Sequence, residues 1–201
     1  MDWWLRVRRV PAVCASLVAC LLLGALADSI HIPVPVVLGG VSFQMPLPFL
    51  LPLVPVCLIL YGQSRGMSAL EATAVRPVKR WDTGFMTACC LLAVTGGWSI
   101  ASMTGHVLAA GMARNFLGYL GLALLLRPLI GHSVTAVAIT LLPIGCAAFG
   151  VRNGRPHRWA WPLHEAASLP SFLVAVALAV TGIAVSLLPR AVTRRAHAEG
   201  G

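Results

Sequence analysis

The sequence predicts an all-α polytopic integral membrane protein of about six transmembrane helices, one domain throughout, with both termini in the cytoplasm. Three observations carry that expectation. Of the 201 residues, 58% are hydrophobic and only 10% are charged, whereas a soluble domain is charged at about one residue in four. The mean hydropathy is +0.85, and the apolar residues fall in several long runs. The 15 Lys and Arg, against 6 Asp and Glu, gather beside those runs, the arrangement that orients polytopic proteins. The positive balance is therefore a topological signal, and no nucleic-acid surface is expected.

A bilayer is crossed by a helix of about 20 apolar residues, because open backbone in hydrocarbon leaves polar groups unpaired. The first such run, residues 10–27, follows the basic head WWLRVRR. Arg6, Arg8 and Arg9 ahead of an apolar stretch ending in Ala25-Leu26-Ala27 also fit a cleaved signal peptide. The length of the run favours an uncleaved helix. Residues 28–46 contain Pro33, Pro35 and Gly39-Gly40 and no basic residue, so they predict an extended, stiff external connection lying at the membrane surface. The second span, 46–62, is short and carries Pro52 and Pro55.

The longest polar interruption follows, MSALEATAVRPVKRWD. Ser68 and Glu71 have the spacing of a capping box, in which each side chain satisfies the other's backbone amide. Pro77 stops the resulting helix of about two turns, and Asp82 is placed to cap the next one. So short a helix is marginal alone and needs a surface to lie on. That surface is either anionic headgroups, reached by Arg76, Lys79 and Arg80, or another protein.

The third span, 83–103, is uncharged. The fourth, 111–126, is the weakest, with Arg114 and Asn115 at its start and Arg127 at its end. An arginine at mid-bilayer costs about 2.5–3.5 kcal/mol on insertion scales, so Arg114 is expected to snorkel outward or to pair with Asp28. Gly111, Gly118 and Gly121 on the same run offer backbone-close helix packing. Spans 133–151 and 169–188 complete the six. Between them lie the basic string VRNGRPHR, residues 151–158, and then Trp159 and Trp161, expected in the interfacial aromatic belt.

With six spans, Arg6, Arg8, Arg9, Arg65, Arg76, Lys79, Arg80, Arg127, Arg190, Arg194 and Arg195 fall inside, and Arg114, Arg152, Arg155 and Arg158 outside. The bias places both ends in the cytoplasm. The basic loop 151–158 runs against it, which means either an external anion or a miscounted span.

Other chemistry is weakly signalled. The six cysteines sit in apolar runs without a CxxC pair, so neither a disulfide framework nor a metal site is expected. Every histidine falls near a span end, unlike the mid-membrane ligands of haem. Ser102 and His106 are four apart, but a third orienting group is missing. No G-x-x-x-x-G-K-[ST] occurs, so no catalytic motif, ATPase included, and no cofactor is expected in this chain.

The layout, with the strings LEATAVRPVKRWD (70–82) and ARNFLGYLGLALL (113–125), resembles the six-span permease subunits of ABC-type exporters of Gram-positive bacteria, of the drug and lantibiotic-immunity kind. That resemblance implies a bacterial plasma-membrane protein working with a separate ATP-binding subunit and a second permease copy or paralogue, the ATP being bound by the partner. It also implies that Ser68, Glu71, Arg76, Lys79 and Arg80 contact the ATPase. A non-transporting membrane scaffold or assembly partner is the alternative.

Overall fold

The computed structural model describes residues 2–27, 30–37, 42–65, 78–152 and 155–187. A short helix α1 (Asp2–Val7) leads into α2 (Val10–Leu26). A hairpin of β1 (His31–Pro35) and β2 (Ser42–Pro46) follows, then one 3-10 turn and α3 (Leu53–Ser64). The long helices α4 (Val78–Thr104), α5 (Leu108–Ile130) and α6 (His132–Phe149) come next. A two-residue hairpin, β3 (Val151–Arg152) and β4 (Arg155–Pro156), precedes α7 (Leu169–Leu187).

Five segments are long and apolar enough to cross a membrane: Leu47–Ser64, Arg80–Thr104, Leu108–Ile130, His132–Phe149 and Leu169–Leu187. The first expected span, α2, is apolar but has 17 residues, or about 26 Å at 1.5 Å per residue. The fold is thus mostly helical, with two small antiparallel hairpins that an all-α expectation did not include. The third span begins at Val78, five residues earlier than expected, so Asp82 lies inside α4 and is not its cap.

The fourth span is present as a helix, in a place the sequence did not indicate. Expected as the weakest, α5 is 83% buried over its most apolar window, whereas the corresponding figure for the other four is 22–44%. It is the central helix. Its strongest packing is with α7 and α4, and it also touches α2, α3 and α6. Small residues on every side, Ala109, Ala110, Gly111, Ala113, Gly118, Gly121 and Ala123, let neighbours approach from all directions. A Cβ added at Gly121 would strike the backbone of Leu178–Ala179, and one at Gly182 would strike Gly121. At Gly118 it would strike the Trp161 ring, and at Gly111 it would lie 2.9 Å from Ala166 and Phe49.

The glycine at 118 gives a direct test of this packing. Gly118→Ala is expected to lower stability by about 1–3 kcal/mol through overpacking, read as a lower melting temperature in detergent. Adding Trp161→Leu should recover part of the loss. An equal loss in the double variant would mean that the ring is not what fills the space.

Burial and hydropathy run in opposite directions. Of the five spans, α7 is the most apolar and the least buried, and α5 is the least apolar and the most buried. Leu91, Leu92, Val134, Leu141, Leu173 and Val180 are all exposed. A monomer in water does not display so much contiguous apolar surface; lipid is the solvent that suits it.

The described residues of the connections, 30–37, 42–46, 150–152 and 155–168, lie at one end of the bundle, and residues 62–65 and 78–82 with Arg127 to His132 at the other. The first hairpin pairs His31 with Pro46 through Pro35 with Ser42, so the segment is extended as expected. It is seated on protein: Val34 and Met45 pack with Cys146, Ala147, Val151, Ala160 and Leu163, and the Val37 amide donates to the Ala148 carbonyl at 3.0 Å. The prolines suit a two-stranded ribbon, where every strand is an edge.

Candidate functional site

Two buried polar clusters stand at opposite ends of the bundle. The first begins with Arg8. After α1 the chain reverses at Arg9, which takes a left-handed conformation (φ 50°) uncommon for a residue with a Cβ. The reversal turns Arg8 inward, where it is 6% exposed, and leaves Arg9 outside over the Tyr61 ring, 5.2 Å from its centroid. Arg8 donates to both carboxylate oxygens of Asp82 in α4, Nη2 at 2.7 Å and Nε at 3.0 Å. Such two-point contact fixes the planes of both groups. Trp4 Nε1 donates to the same carboxylate at 3.0 Å.

Arg8 also grips α3. Its Nη1 donates to the carbonyls of Gly62 (3.2 Å) and Gln63 (3.3 Å). Position 62 must be glycine for this approach, since a Cβ there would lie 2.6 Å from the Arg8 carbonyl oxygen. The Gln63 side chain extends the network, donating to Met86 Sδ at 3.2 Å and accepting from Arg127 Nη1. A single guanidinium therefore ties together α1, α3 and α4, and Gln63 adds α5. Sequence reasoning placed Arg8 in the basic head before the first span, counted as cytoplasmic, and Asp82 in a capping role. Neither reading anticipates a pair 74 residues apart.

The second cluster is built on α5. Arg114 and Asn115 are both fully buried, which corrects the expectation that Arg114 snorkels outward. Its guanidinium neither reaches solvent nor meets a carboxylate among the described residues; Asp28, the proposed partner, lies outside them. It donates instead to backbone carbonyls of the chain before α7: Pro162 (3.2 Å), His164 (3.1 Å) and Glu165 (2.7 Å). Asn115 Oδ1 accepts from Arg114 Nε at 3.2 Å, and Asn115 Nδ2 donates to the Pro162 carbonyl at 3.1 Å. The Phe49 ring lies 5.7 Å from the guanidinium carbon, and Tyr119 Oη donates to the Phe49 carbonyl at 3.2 Å.

This latch holds segment 159–166 against the central helix. The aromatic expectation divides there. Trp159 is exposed, as an interfacial residue should be, but Trp161 is buried at 8% against Gly118 and Tyr119. The arginine donors and the Trp161 ring close the same loop over the same face of α5.

The remaining predicted residues are placed as follows. Ser68, Glu71 and Arg76 lie outside the described residues. Lys79 and Arg80 are in the first turn of α4, and Arg80 is exposed. Gly111, Gly118 and Gly121 all lie on α5. Gly121 meets α7 backbone to backbone, whereas Gly111 faces Ala166 and, in the 3-10 turn before α3, Phe49, and Gly118 faces Trp161; Ala166 and Trp161 are in the connection before α7. Ser102 Oγ donates to the Ser99 carbonyl at 2.9 Å, the usual local bond of a helical serine. His31, His106, His132, His157 and His164 all stand at element ends. No group of three metal-ligating side chains occurs among the described residues.

No protein-family model matches the chain, and neither a characterised protein nor a solved structure does.

Proposed function

We propose that the chain is the membrane, or permease, subunit of an ATP-driven exporter of the ABC type in the bacterial plasma membrane. It would act with a separate ATP-binding subunit and a second permease copy or paralogue. The observation that carries this reading is the Arg8 clamp. The polar segment 66–77, bearing Ser68, Glu71 and Arg76, leaves α3 just after Gly62–Gln63 and enters α4 just before Asp82. Arg8 holds both flanks. A force applied to that segment by a motor would reach α1, α3 and α4 through one rigid, bidentate contact.

In this scheme closure of the ATP-bound partner presses on residues 68–80, and the clamp turns the local push into a movement of whole helices. The substrate path would run between two permease copies, because the middle of one copy is occupied by α5. That filled centre equally favours a second reading, a non-transporting scaffold that presents its lipid-facing helices to a partner.

Purification of the full chain from its own membranes in mild detergent separates the two. Co-purification of a nucleotide-binding subunit is expected, and its loss in the variant R76A/K79A/R80A, with insertion unchanged. Association that survives this variant removes the docking assignment, and isolation without any ATPase favours the scaffold.

A further inference from the structure

We infer that the open groove formed by Arg152, Arg155, Pro156, His157 and Arg158 is a binding site for a phosphate-bearing anion, its source being the headgroup of an anionic phospholipid at the membrane surface. The hairpin of β3 and β4 sets Arg152 directly opposite Arg155 in its register. Like charges in that relation repel across a strand pair. Both side chains and that of Arg158 are exposed, and none of the three has a carboxylate or hydrogen-bond partner among the described residues. Together with His157 they line a groove of about 630 Å³. Three exposed guanidiniums lining one opening supply the planar, multi-donor chemistry that phosphate oxygens accept.

The backbone beneath is fixed while the charges are left outside. The Gly150 amide donates to the Cys146 carbonyl and the His157 amide to the Gly150 carbonyl, each at 2.7 Å. Val151 and Ala160 on either side are buried. The exposed Trp159 follows at once in the chain, a residue type that settles at headgroup depth. This end of the bundle is also where basic residues work against the orientation signal carried by the other end. A bound anion accounts for their clustering at and just after one pinned hairpin.

The test uses the full chain in neutral detergent, measuring melting temperature and co-purified lipid after adding dioleoylphosphatidylglycerol, dioleoylphosphatidylcholine or sodium phosphate at matched ionic strength. Phosphatidylglycerol should raise the melting temperature and remain bound, while phosphatidylcholine does neither. In R152Q/R155Q/R158Q the lipid-induced shift should fall at least several-fold, with the lipid-free melting temperature unchanged because the side chains are solvent-facing. R152K/R155K/R158K, which keeps the charge, should retain part of the shift. Protection by inorganic phosphate equal to that by phosphatidylglycerol would support the same anion chemistry with a soluble source. An undiminished phosphatidylglycerol shift in the triple-Gln variant, or equal binding of phosphatidylcholine, would overturn the assignment.

Discussion

Arg114→Met is expected to be the most damaging single substitution in the described part of the chain, with an opposite sign at two stages. Insertion should improve, because an arginine inside a span costs up to about 2.5–3.5 kcal/mol on insertion scales. The folded state should lose about 3–5 kcal/mol. The His164 and Glu165 carbonyls would lose their Arg114 donor, and that of Pro162 would keep only Asn115 Nδ2, a loss of about 1–3 kcal/mol for an acceptor left buried and unpaired. A methionine fills the volume of the stem but offers no N–H. Glycosylation mapping reads the first stage, and thermal melting of the purified protein reads the second. Arg114→Lys should fall between the parent and Met, since one ammonium cannot span three carbonyls as a planar fork does. Melting of Arg114→Met together with the parent would show that the latch contributes nothing to the fold.

The second large effect is expected at the clamp. Asp82→Leu alone leaves Arg8 charged and 6% exposed, and Arg8→Met alone leaves the carboxylate without its cation, held by the Trp4 Nε1 donor. Either should cost about 3–5 kcal/mol, as for other buried pairs broken from one side. Together, Arg8→Met and Asp82→Leu should cost far less than the sum, because neither charge then remains uncompensated. A double-mutant cycle on melting in detergent measures the coupling. Additive losses would mean that the two residues stabilise the bundle separately, and the force path proposed through them would then be gone. Arg8 is buried and Asp82 partly so, with side chains 6% and 19% exposed, so raising the salt concentration should change the pair's contribution less than that of an exposed pair.

Several spans were legible because their signal is local. Residues 133–151 and 169–188 were placed within two residues of α6 and α7 at either end, since a run of apolar residues bounded by polar ones has one solution in lipid. The extended state of His31–Pro35 and Ser42–Pro46 was also local, signalled by Pro33 and Pro35. Its pairing into a hairpin on the end of α6 was not, because the contacts of Val34 and Met45 are with residues about a hundred positions away.

The central place of α5 was not legible in the sequence, for a physical reason. Hydropathy measures how well a segment suits lipid, and α5 touches little of it. Its glycines and alanines lower the apolar score while permitting close approach, and Arg114, Asn115 and Arg127 lower it further. Protein carbonyls meet the Arg114 and Asn115 donors, and the Gln63 side-chain oxygen meets Arg127. A central helix in a membrane bundle can therefore look like the poorest span. Counting Arg114 among external basic residues, and Arg8 among free internal ones, came from the same limit: a charge in sequence carries no mark of its partner.

By itself, then, the sequence determined that the chain carries long segments suited to lipid, where most of its helices run and which stretches between them are polar, because each of those depends on neighbours along the chain. Which helix sits in the middle, that Arg114 turns inward to carbonyls, and that Arg8 closes on Asp82 were decided only by the tertiary structure. Those contacts join residues some fifty to seventy-five positions apart, and only packing makes a buried charge affordable by bringing its partners within 3 Å or so.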